Sequence, residues 1–211
     1  GSGLDMQARI FPQYLKEAGY VCGQFGKWHL GPTPEWSPYK RGFDYQFGFL
    51  GRGAHDYFKL NDPKDPIYRN DQEIEEKGYL TFRLADEVSE FIERNAKKPF
   101  FAYLAFNAVH TPLQAPEEEI ARFNTADTTR NTMLAMVKCM DDAIGQVLEP
   151  LDKKKAAGQY DNILHQRQRR RFGIRLGKQT AARRETHGLR GRNPRPILCK
   201  LAGKTQACGM R

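Results

Sequence analysis

Apolar side chains recur at helical spacing in three segments of the chain. The longest pattern, Thr129–Leu151, forms one apolar stripe with polar residues around it, which predicts a helix that packs against a core. A second amphipathic pattern covers Leu80–Ala96, with charged residues opposite its apolar face. A shorter helix is predicted at Phe11–Ala18, because proline is tolerated in a first helical turn and Gly19 supplies a C-terminal stop.

Continuous apolar runs predict strands between these helices. Phe100–Phe106 is apolar throughout, as expected for a strand with both faces covered. Tyr20–Phe25 begins like a buried strand and breaks at Gly26, while Ile163–Leu164 starts another apolar run after a predicted turn at Asp161-Asn162. The alternation of helices with apolar strands indicates an α/β fold with a mostly parallel sheet.

Three other segments of the first 80 residues read as connections. Gly31–Arg41 contains three prolines and is predicted to be an irregular loop. Gly42–Phe58 is rich in glycine and aromatic residues, which either line a cleft or pack beneath the loop, and packing is the more frequent use. Asn61–Lys77 is polar and is predicted to connect through a short hairpin. His55 has no spacing that assigns it a role, so we expect it to be packed or solvent-facing.

Groups suited to an anionic substrate follow two of the predicted strands. Lys27 and His29 lie on either side of Trp28 just after the first strand, and His110 lies just past Phe100–Phe106. Ligands of open α/β sheets bind outside the carboxyl ends of the strands. A cation and an imidazole two residues apart suit an anionic substrate with a proton to move. The alternative is that Trp28 fills a core and Lys27 is a solvated surface charge.

The sequence around these residues is similar to signatures of the sulfatases. Residues 19–31 read Gly-Tyr-Val-Cys-Gly-Gln-Phe-Gly-Lys-Trp-His-Leu-Gly, which resembles the second signature of that family. Residues 98–116 resemble the family's strand and its His-x-Pro loop, in which His110 is the histidine. Segments 41–44, 47–49 and 140–145 match the usual spacers, and the resemblance covers about Gly3 to Leu164 in family order.

The resemblance implies an alkaline-phosphatase-like fold, a mostly parallel α/β sheet with flanking helices, here incomplete and formed by residues 1–164. It implies a sulfuric ester hydrolase of the arylsulfatase type, acting on a sulfated small molecule or glycan. Lys27 would contact the sulfate, and His29 would be a candidate base for releasing it. His110, near the sulfate and the leaving-group oxygen, would be a candidate general acid. The alternatives are a phosphate-ester hydrolase of the same superfamily and a basic nucleic-acid-binding module.

Calcium and formylglycine are expected for the family, but the motifs that supply them are absent from this sequence. Formylglycine is made from a Cys or Ser in a Cys/Ser-x-Pro-x-Arg motif, and none of the four cysteines and no serine stands in one. We expect this motif and a calcium-binding Asp pair to precede the first residue, so the chain as written is expected to be inactive. Asp141 and Asp142 diverge in direction on a helix, which predicts exposed charges and no metal ligands in this chain.

The composition changes abruptly near Leu164. Residues 165–211 contain 14 of the 34 Lys and Arg residues but only one of the 25 acidic residues, Glu185. The net charge of this tail is therefore +13 and that of residues 1–164 is −4, which together give the total of +9. A basic arm that neutralises phosphates has this composition. We favour a different interpretation, in which the tail is translated out of frame and disordered.

A shift of one nucleotide supports the out-of-frame interpretation. Codons permitted for residues 165–170 spell Thr-Asn-Asp-Asn-Gly-Gly when read one base later, which resembles the calcium loop of the family. Residues 182–196 and 201–204 permit two further family-like segments in the same frame. We therefore predict a one-base frameshift at about residues 162–164, and no nucleic-acid partner.

Neither the cysteines nor the start of the chain identifies a compartment. Cys22, Cys139, Cys199 and Cys208 lack zinc or redox spacing and are expected to be buried thiols. No apolar run reaches the length of a membrane span, and no signal peptide stands at the start. The sulfatase resemblance implies export, which is usual in the family.

Overall fold

The computed structural model of the protein describes residues 3–51, 55–153, 161–166 and 197–202. In these ranges the helices are α1 (Phe11–Glu17), α2 (Leu80–Arg94), α3 (Glu117–Ile120) and α4 (Thr128–Lys153), with two 3₁₀ helices at Pro34–Trp36 and Pro38–Arg41. The strands are β1 (Val21–Lys27), β2 (Tyr45–Phe49), β3 (Ile67–Arg69), β4 (Gln72–Ile74), β5 (Phe100–Ala105), β6 (Asp161–Gln166) and β7 (Ile197–Ala202). None of the helices in these ranges is long and apolar enough to span a bilayer.

The strands form one sheet in the order β4-β3-β2-β1-β5-β7-β6. Pairing is parallel from β2 through β1, β5 and β7 to β6, and antiparallel between β2, β3 and β4. The chain leaves β1 for β2 on one side and later returns to β5 on the other, so β1 lies at a topological switch point. Ligands of open α/β sheets bind at such points. The predicted mostly parallel α/β sheet with flanking helices is confirmed.

The two faces of the sheet pack against different helices. On one face, Phe25 of β1 and Phe100 of β5 pack with the apolar stripes of α2 and α4. On the other face, Cys22 and Phe101 pack with Leu15 of α1. Neighbouring residues of β5 point to opposite faces because side chains alternate along a strand. Helices therefore cover both faces, which explains why β5 is apolar throughout.

Helix α2 is fixed to the sheet by apolar and polar contacts. Leu84, Val88 and Ile92 are fully buried, and burying each such side chain contributes about 1.5–3 kcal/mol. Glu87, which is also buried, accepts a hydrogen bond from Tyr45 Oη (2.6 Å) and pairs with Arg69. These polar contacts tie α2 to β2 and β3, so the helix is held along the sheet as well as against it.

The aromatic segment 42–58 contains β2, a strand that the sequence did not predict. Gly48 interrupts its apolar pattern, yet a Cβ at this position would lie 2.2 Å from the carbonyl oxygen of Gly26 on β1. The glycine therefore allows the two strands to approach each other. Phe47 and Phe49 are fully buried, so these aromatic side chains pack in the core, as expected. The polar segment that follows contains the predicted hairpin, formed by β3 and β4.

The far edge of the sheet differs from the sequence prediction. β6 begins at Asp161, where a turn was predicted, because its pairing with β7 already starts at this residue. β7 lies within the region 165–211 that was expected to be disordered, and its apolar Ile-Leu-Cys run pairs with β5 and β6. Residues 167–196 and 203–211 lie outside the described residues. The frameshift is a statement about the gene and stays a prediction.

Candidate functional site

Three loops meet at one edge of the sheet, because the neighbouring strands β1, β2 and β5 run parallel and end at the same level. Lys27 is the last residue of β1 and is in register with Phe49, the last residue of β2. His29 follows Lys27 in the loop after β1, and His110 lies in the loop after β5. All three predicted site residues therefore lie at this edge.

Trp28 anchors the loop after β1. Its side chain is 6% exposed, its indole N–H donates to the carbonyl oxygen of Trp36 (2.7 Å), and its backbone N–H donates to that of Phe49 (3.1 Å). Trp28 therefore fills part of the core, as the alternative interpretation held. This packing does not bury both of its neighbours, since Lys27 is half-buried and His29 is exposed.

The pKa of His29 is influenced by the other two predicted site residues, Lys27 and His110. Its backbone is left-handed (φ 64°), which is uncommon for a residue other than glycine and turns the chain at the end of β1. Partial burial lowers the pKa of His29 below its ordinary value, and charges on Lys27 and His110 lower it further. Charges influence a pKa through space, so Lys27 and His110 both belong to the electrostatic surroundings of His29. At neutral pH His29 is mainly uncharged and able to accept a proton.

His110 is exposed, but the backbone around it is well held. Its N–H donates to the carbonyl oxygen of Asn107 (2.8 Å), and its own carbonyl oxygen accepts a hydrogen bond from Tyr57 Oη (3.0 Å). Ring nitrogen Nδ1 lies 2.9 Å from the carbonyl oxygen of Thr111. When Nδ1 donates to this oxygen, Nε2 is the nitrogen that exchanges a proton with a ligand.

Asp65 is a carboxyl group near Lys27 that the sequence did not single out. Burial raises its pKa and Asp62 raises it further, whereas His55, the backbone N–H of Gly51 and Lys27 each lower it. Of these influences on the Asp65 pKa, the charge of Lys27 is the smallest. Asp65 lies in a polar connecting segment far from Lys27 in sequence, so no motif or spacing pointed to it.

His55 is packed, which decides between the two environments expected for it. The side chain is 2% exposed, and its ring lies against Phe49 with the ring centroids 4.9 Å apart. Its two ring nitrogens contact the carbonyl oxygens of Asp56 (2.6 Å) and Asp65 (2.8 Å). His55 therefore connects the loop after β2 with the polar segment that precedes β3.

The described residues do not fit the cofactors expected for the family. They contain no group of three or more His, Cys, Asp or Glu side chains suited to a metal ion. Asp141 and Asp142 are exposed on α4, and Asp142 pairs with Lys138. Burial raises the pKa of Cys22 to about 12 and that of Cys139 to about 11, so neither thiol is an activated nucleophile.

Sequence comparison relates most of the chain to one family. The model of the Sulfatase family matches residues 6–164. The uncharacterized sulfatase YdeN of Escherichia coli (strain K12) is 32% identical over 189 residues, which cover 77% of this chain and 32% of YdeN. N-acetylgalactosamine-6-sulfatase of Homo sapiens is 33% identical over 163 residues, which cover 71% of this chain and 30% of the enzyme. The chain thus spans about a third of the length of these curated relatives.

Solved structures show the same similarity. The crystal structure of Ps i-CgsB matches with a TM-score of 0.67 at 38% identity, over 74% of this chain and 39% of that one. Ps i-CgsB in complex with k-i-k-neocarrahexaose matches with a TM-score of 0.64 at 35% identity, over 73% of this chain and 40% of that one. BT4656 in complex with its substrate, D-glucosamine-2-N,6-O-disulfate, matches with a TM-score of 0.58 at 18% identity, over 72% of this chain and 48% of that one, and shares the fold alone.

Proposed function

Because the chain belongs to the sulfatase family, we propose that Lys27, His29 and His110 are this region's contribution to a site that hydrolyses sulfate monoesters. The observation that carries the proposal is their placement at one edge of the sheet, at or beyond the carboxyl ends of the paired parallel strands β1 and β5. The lowered pKa of His29, to which burial, Lys27 and His110 all contribute, supports it. A cation with two imidazoles at a switch point of the sheet suits an anionic group with a proton to move.

Each of the three side chains has a distinct role in the proposal. The Lys27 ammonium neutralises charge on the sulfate oxygens. This interaction becomes more favourable as negative charge develops in the transition state. His29, uncharged at neutral pH, acts as a base in the step that releases sulfate. His110 donates a proton to the departing oxygen of the ester.

The nucleophile and the metal ion belong to other parts of the protein in this proposal. In the family a formylglycine supplies the nucleophile and calcium supplies positive charge at the sulfate. The described residues fit neither group, so we assign no reaction step to formylglycine or to calcium. We therefore expect the 211-residue chain to bind sulfate without hydrolysing sulfate esters.

We propose a sulfated sugar as the substrate class. The human relative is named for a sulfated sugar, N-acetylgalactosamine 6-sulfate, and Ps i-CgsB has been crystallised with a hexaose. The exposure of both His29 and His110 is consistent with a bulky ligand, because neither side chain is enclosed. The family relationship also supports export of the protein from the cytoplasm, which stays a prediction.

Titration of the chain with inorganic sulfate tests the proposed site directly. We expect the imidazole NMR signals of His29 and His110 to move together as sulfate is added at about pH 6, near the ordinary pKa of histidine. Lys27→Met should weaken binding roughly 10- to 100-fold, since a hydrogen bond to a charged group contributes roughly 1.5–3 kcal/mol. Lys64→Met removes an exposed charge elsewhere and should leave binding unchanged. Sulfate that shifts neither histidine would rule the site out.

A longer form of the protein that includes a Cys/Ser-x-Pro-x-Arg motif allows a test of turnover. We expect it to cleave a sugar sulfate and to prefer sulfate over phosphate on a matched leaving group. A strong preference for phosphate would instead identify a phosphate-ester hydrolase. The nucleotide sequence across codons 155–170 tests the frameshift separately. The frameshift prediction requires a second reading frame there that encodes Asp-Asn-Gly-Gly.

A further inference from the structure

Two of the three loops at the site are joined to each other by side-chain hydrogen bonds. We call residues 50–51 and 55–58 the β2 loop and residues 106–116 the β5 loop, which carries His110. The hydrogen bonds between them are Tyr57 N to Gln114 Oε1 (2.9 Å), Gln114 Nε2 to Asp56 Oδ2 (2.9 Å), Tyr57 Oη to the His110 carbonyl oxygen (3.0 Å) and Asn107 Nδ2 to the His55 carbonyl oxygen (3.4 Å). Gln114 takes part in two of the four.

The amide of Gln114 fits only one orientation. Its oxygen accepts the backbone N–H of Tyr57, and its nitrogen donates to the Asp56 carboxylate. Burial disfavours the charged form of Asp56, but hydrogen bonds from Lys59 N–H, Gln114 and Phe58 N–H hold its pKa below the ordinary value. Asp56 is therefore an ionised acceptor. A reversed amide would place donor against donor and acceptor against acceptor.

The same contacts hold the backbone on both sides of His110. Tyr57 is fully buried, and its hydroxyl donates to the carbonyl oxygen of His110 itself. Tyr79 Oη donates to the carbonyl oxygen of Gln114, four residues further along the β5 loop (3.0 Å). The β5 loop is thus pinned at His110 and at Gln114 to residues of the β2 loop and the start of α2.

We propose that Gln114 is a positioning residue, whose amide fixes the β5 loop so that His110 faces the ligand held by Lys27 and His29. The inference rests on the proposed function, since His110 needs a position only if it serves a ligand. Gln114 acts through the backbone of the loop and not by contact with sulfate. Its role needs an acceptor for Tyr57 N and a donor for Asp56 at once, which the amide of Gln114 offers and a carboxylate of the same size does not.

Exchange of the two polar groups provides a sharp test. Gln114→Glu sets a carboxylate against that of Asp56, and Asp56→Asn sets an NH₂ group against that of Gln114. Each single variant should weaken sulfate binding by about fivefold and shift the His110 imidazole signals, as expected for coupled neighbours. In the double variant the amide now at position 56 donates to the carboxylate now at position 114, which still accepts from Tyr57 N. Affinity and His110 signals should therefore return to within about twofold of the original protein.

Three comparisons make the outcome decisive. Gln72→Glu introduces the same charge change on the exposed strand β4 and should leave both readouts unchanged. A lower unfolding temperature in Gln114→Glu with unaltered His110 signals and sulfate affinity would show that Gln114 is structural only. The proposal would be overturned if the double variant lost as much sulfate affinity as the two single variants combined. If the single variants do not fold, a folded double variant whose His110 signals are displaced would overturn it as well.

Failure of the inference can be told apart from failure of the proposed function. If sulfate does not bind the unaltered chain, the proposed function is wrong, while the His110 signals of the single and double variants still report on positioning. If sulfate binds and depends on Lys27, but none of the Gln114 and Asp56 variants changes the His110 signals or the affinity, only the inference is wrong.

Discussion

The loops after β1 and β5 each carry a histidine of the proposed site, but they are held in different ways. The β1 loop depends mainly on an apolar anchor, the buried ring of Trp28, which lies between Lys27 and His29 in sequence and adds one indole hydrogen bond to Trp36. The β5 loop depends on hydrogen bonds. Tyr57, which holds the His110 carbonyl oxygen, lies 53 residues away in sequence. The residue that anchors the β1 loop is therefore part of that loop, whereas the β5 loop is held by a residue from a distant segment of the chain.

The two kinds of anchor differ in what they determine. Apolar burial is large in energy and indifferent to direction, so Trp28 mainly decides whether the β1 loop is folded. Hydrogen bonds contribute less net free energy, but they require particular partners in particular directions. The Tyr57 and Gln114 contacts should therefore decide where His110 lies more than how stable the protein is.

The largest effect is expected when the apolar anchor is removed. Trp28→Ala should lower the free energy of unfolding by about 3–5 kcal/mol, the usual cost of deleting a large buried aromatic side chain. Chemical denaturation followed by fluorescence or circular dichroism measures this change. Phe58→Ala is the matched control, because the Phe58 side chain is 45% exposed, and should cost less than about 1 kcal/mol. Equal costs for the two variants would mean that Trp28 does not anchor the loop.

A smaller effect on stability, with a clear effect on geometry, is expected at Tyr57. Tyr57→Phe keeps the buried ring and removes only the donor to the His110 carbonyl oxygen, which should cost about 1–2 kcal/mol. Burial raises the pKa of the Tyr57 hydroxyl, so it remains a donor at ordinary pH and the effect should not depend on pH. The His110 amide and imidazole signals in NMR spectra should shift.

The control for Tyr57→Phe is Tyr14→Phe, a change at a half-exposed ring on α1. It should leave the His110 signals in place. Tyr57→Phe with an unfolding free energy and His110 signals like those of the unaltered chain would show that the β5 loop is held by other contacts, and the contrast between the two loops would disappear.

The same contrast explains what the sequence revealed. The Gly-Lys-Trp-His-Leu-Gly motif is local, and the periodicity of α2 and α4 and the apolar run of β5 are local as well, so all of them could be predicted. The placement of His110 at the same edge of the sheet as the β1 loop followed from the rule that parallel strands end at one edge. These features need no knowledge of which distant residues meet.

Features that depend on distant contacts were missed. β2 looked unlike a strand because Gly48 serves the close approach of Gly26 on β1, which only the pairing reveals. Asp65 and Gln114 matter through contacts with residues far away in the chain. Asp65 stands in no recognisable motif, and Gln114 lies in the family-like segment 98–116, where nothing in its spacing assigned it a role. β7 was missed because the basic composition around it outweighed a short apolar run.

The smallest expected effect concerns the protonation of His29 in the β1 loop. Lys27 is one of the charges that, after partial burial, lower the His29 pKa. Lys27→Met should therefore raise this pKa towards the ordinary value of 6.5, as measured by the imidazole NMR signals against pH. Lys64→Met, at an exposed position, should leave the titration unchanged.

The stability of the protein should report the same interaction. The pKa of His29 in the folded state is lower than the ordinary value of 6.5, which applies to the unfolded chain. At a pH between the folded-state pKa and 6.5, the unfolded chain therefore binds the proton more readily than the folded chain. The His29 contribution therefore destabilises the folded state as the pH falls through this window and is constant outside it. Lys27→Met narrows the window, so its unfolding free energy should depend less on pH there. If Lys27→Met leaves both the pH dependence and the His29 titration unaltered, then Lys27 and His29 are too far apart to hold one sulfate group, and the apolar anchor between them would serve packing alone.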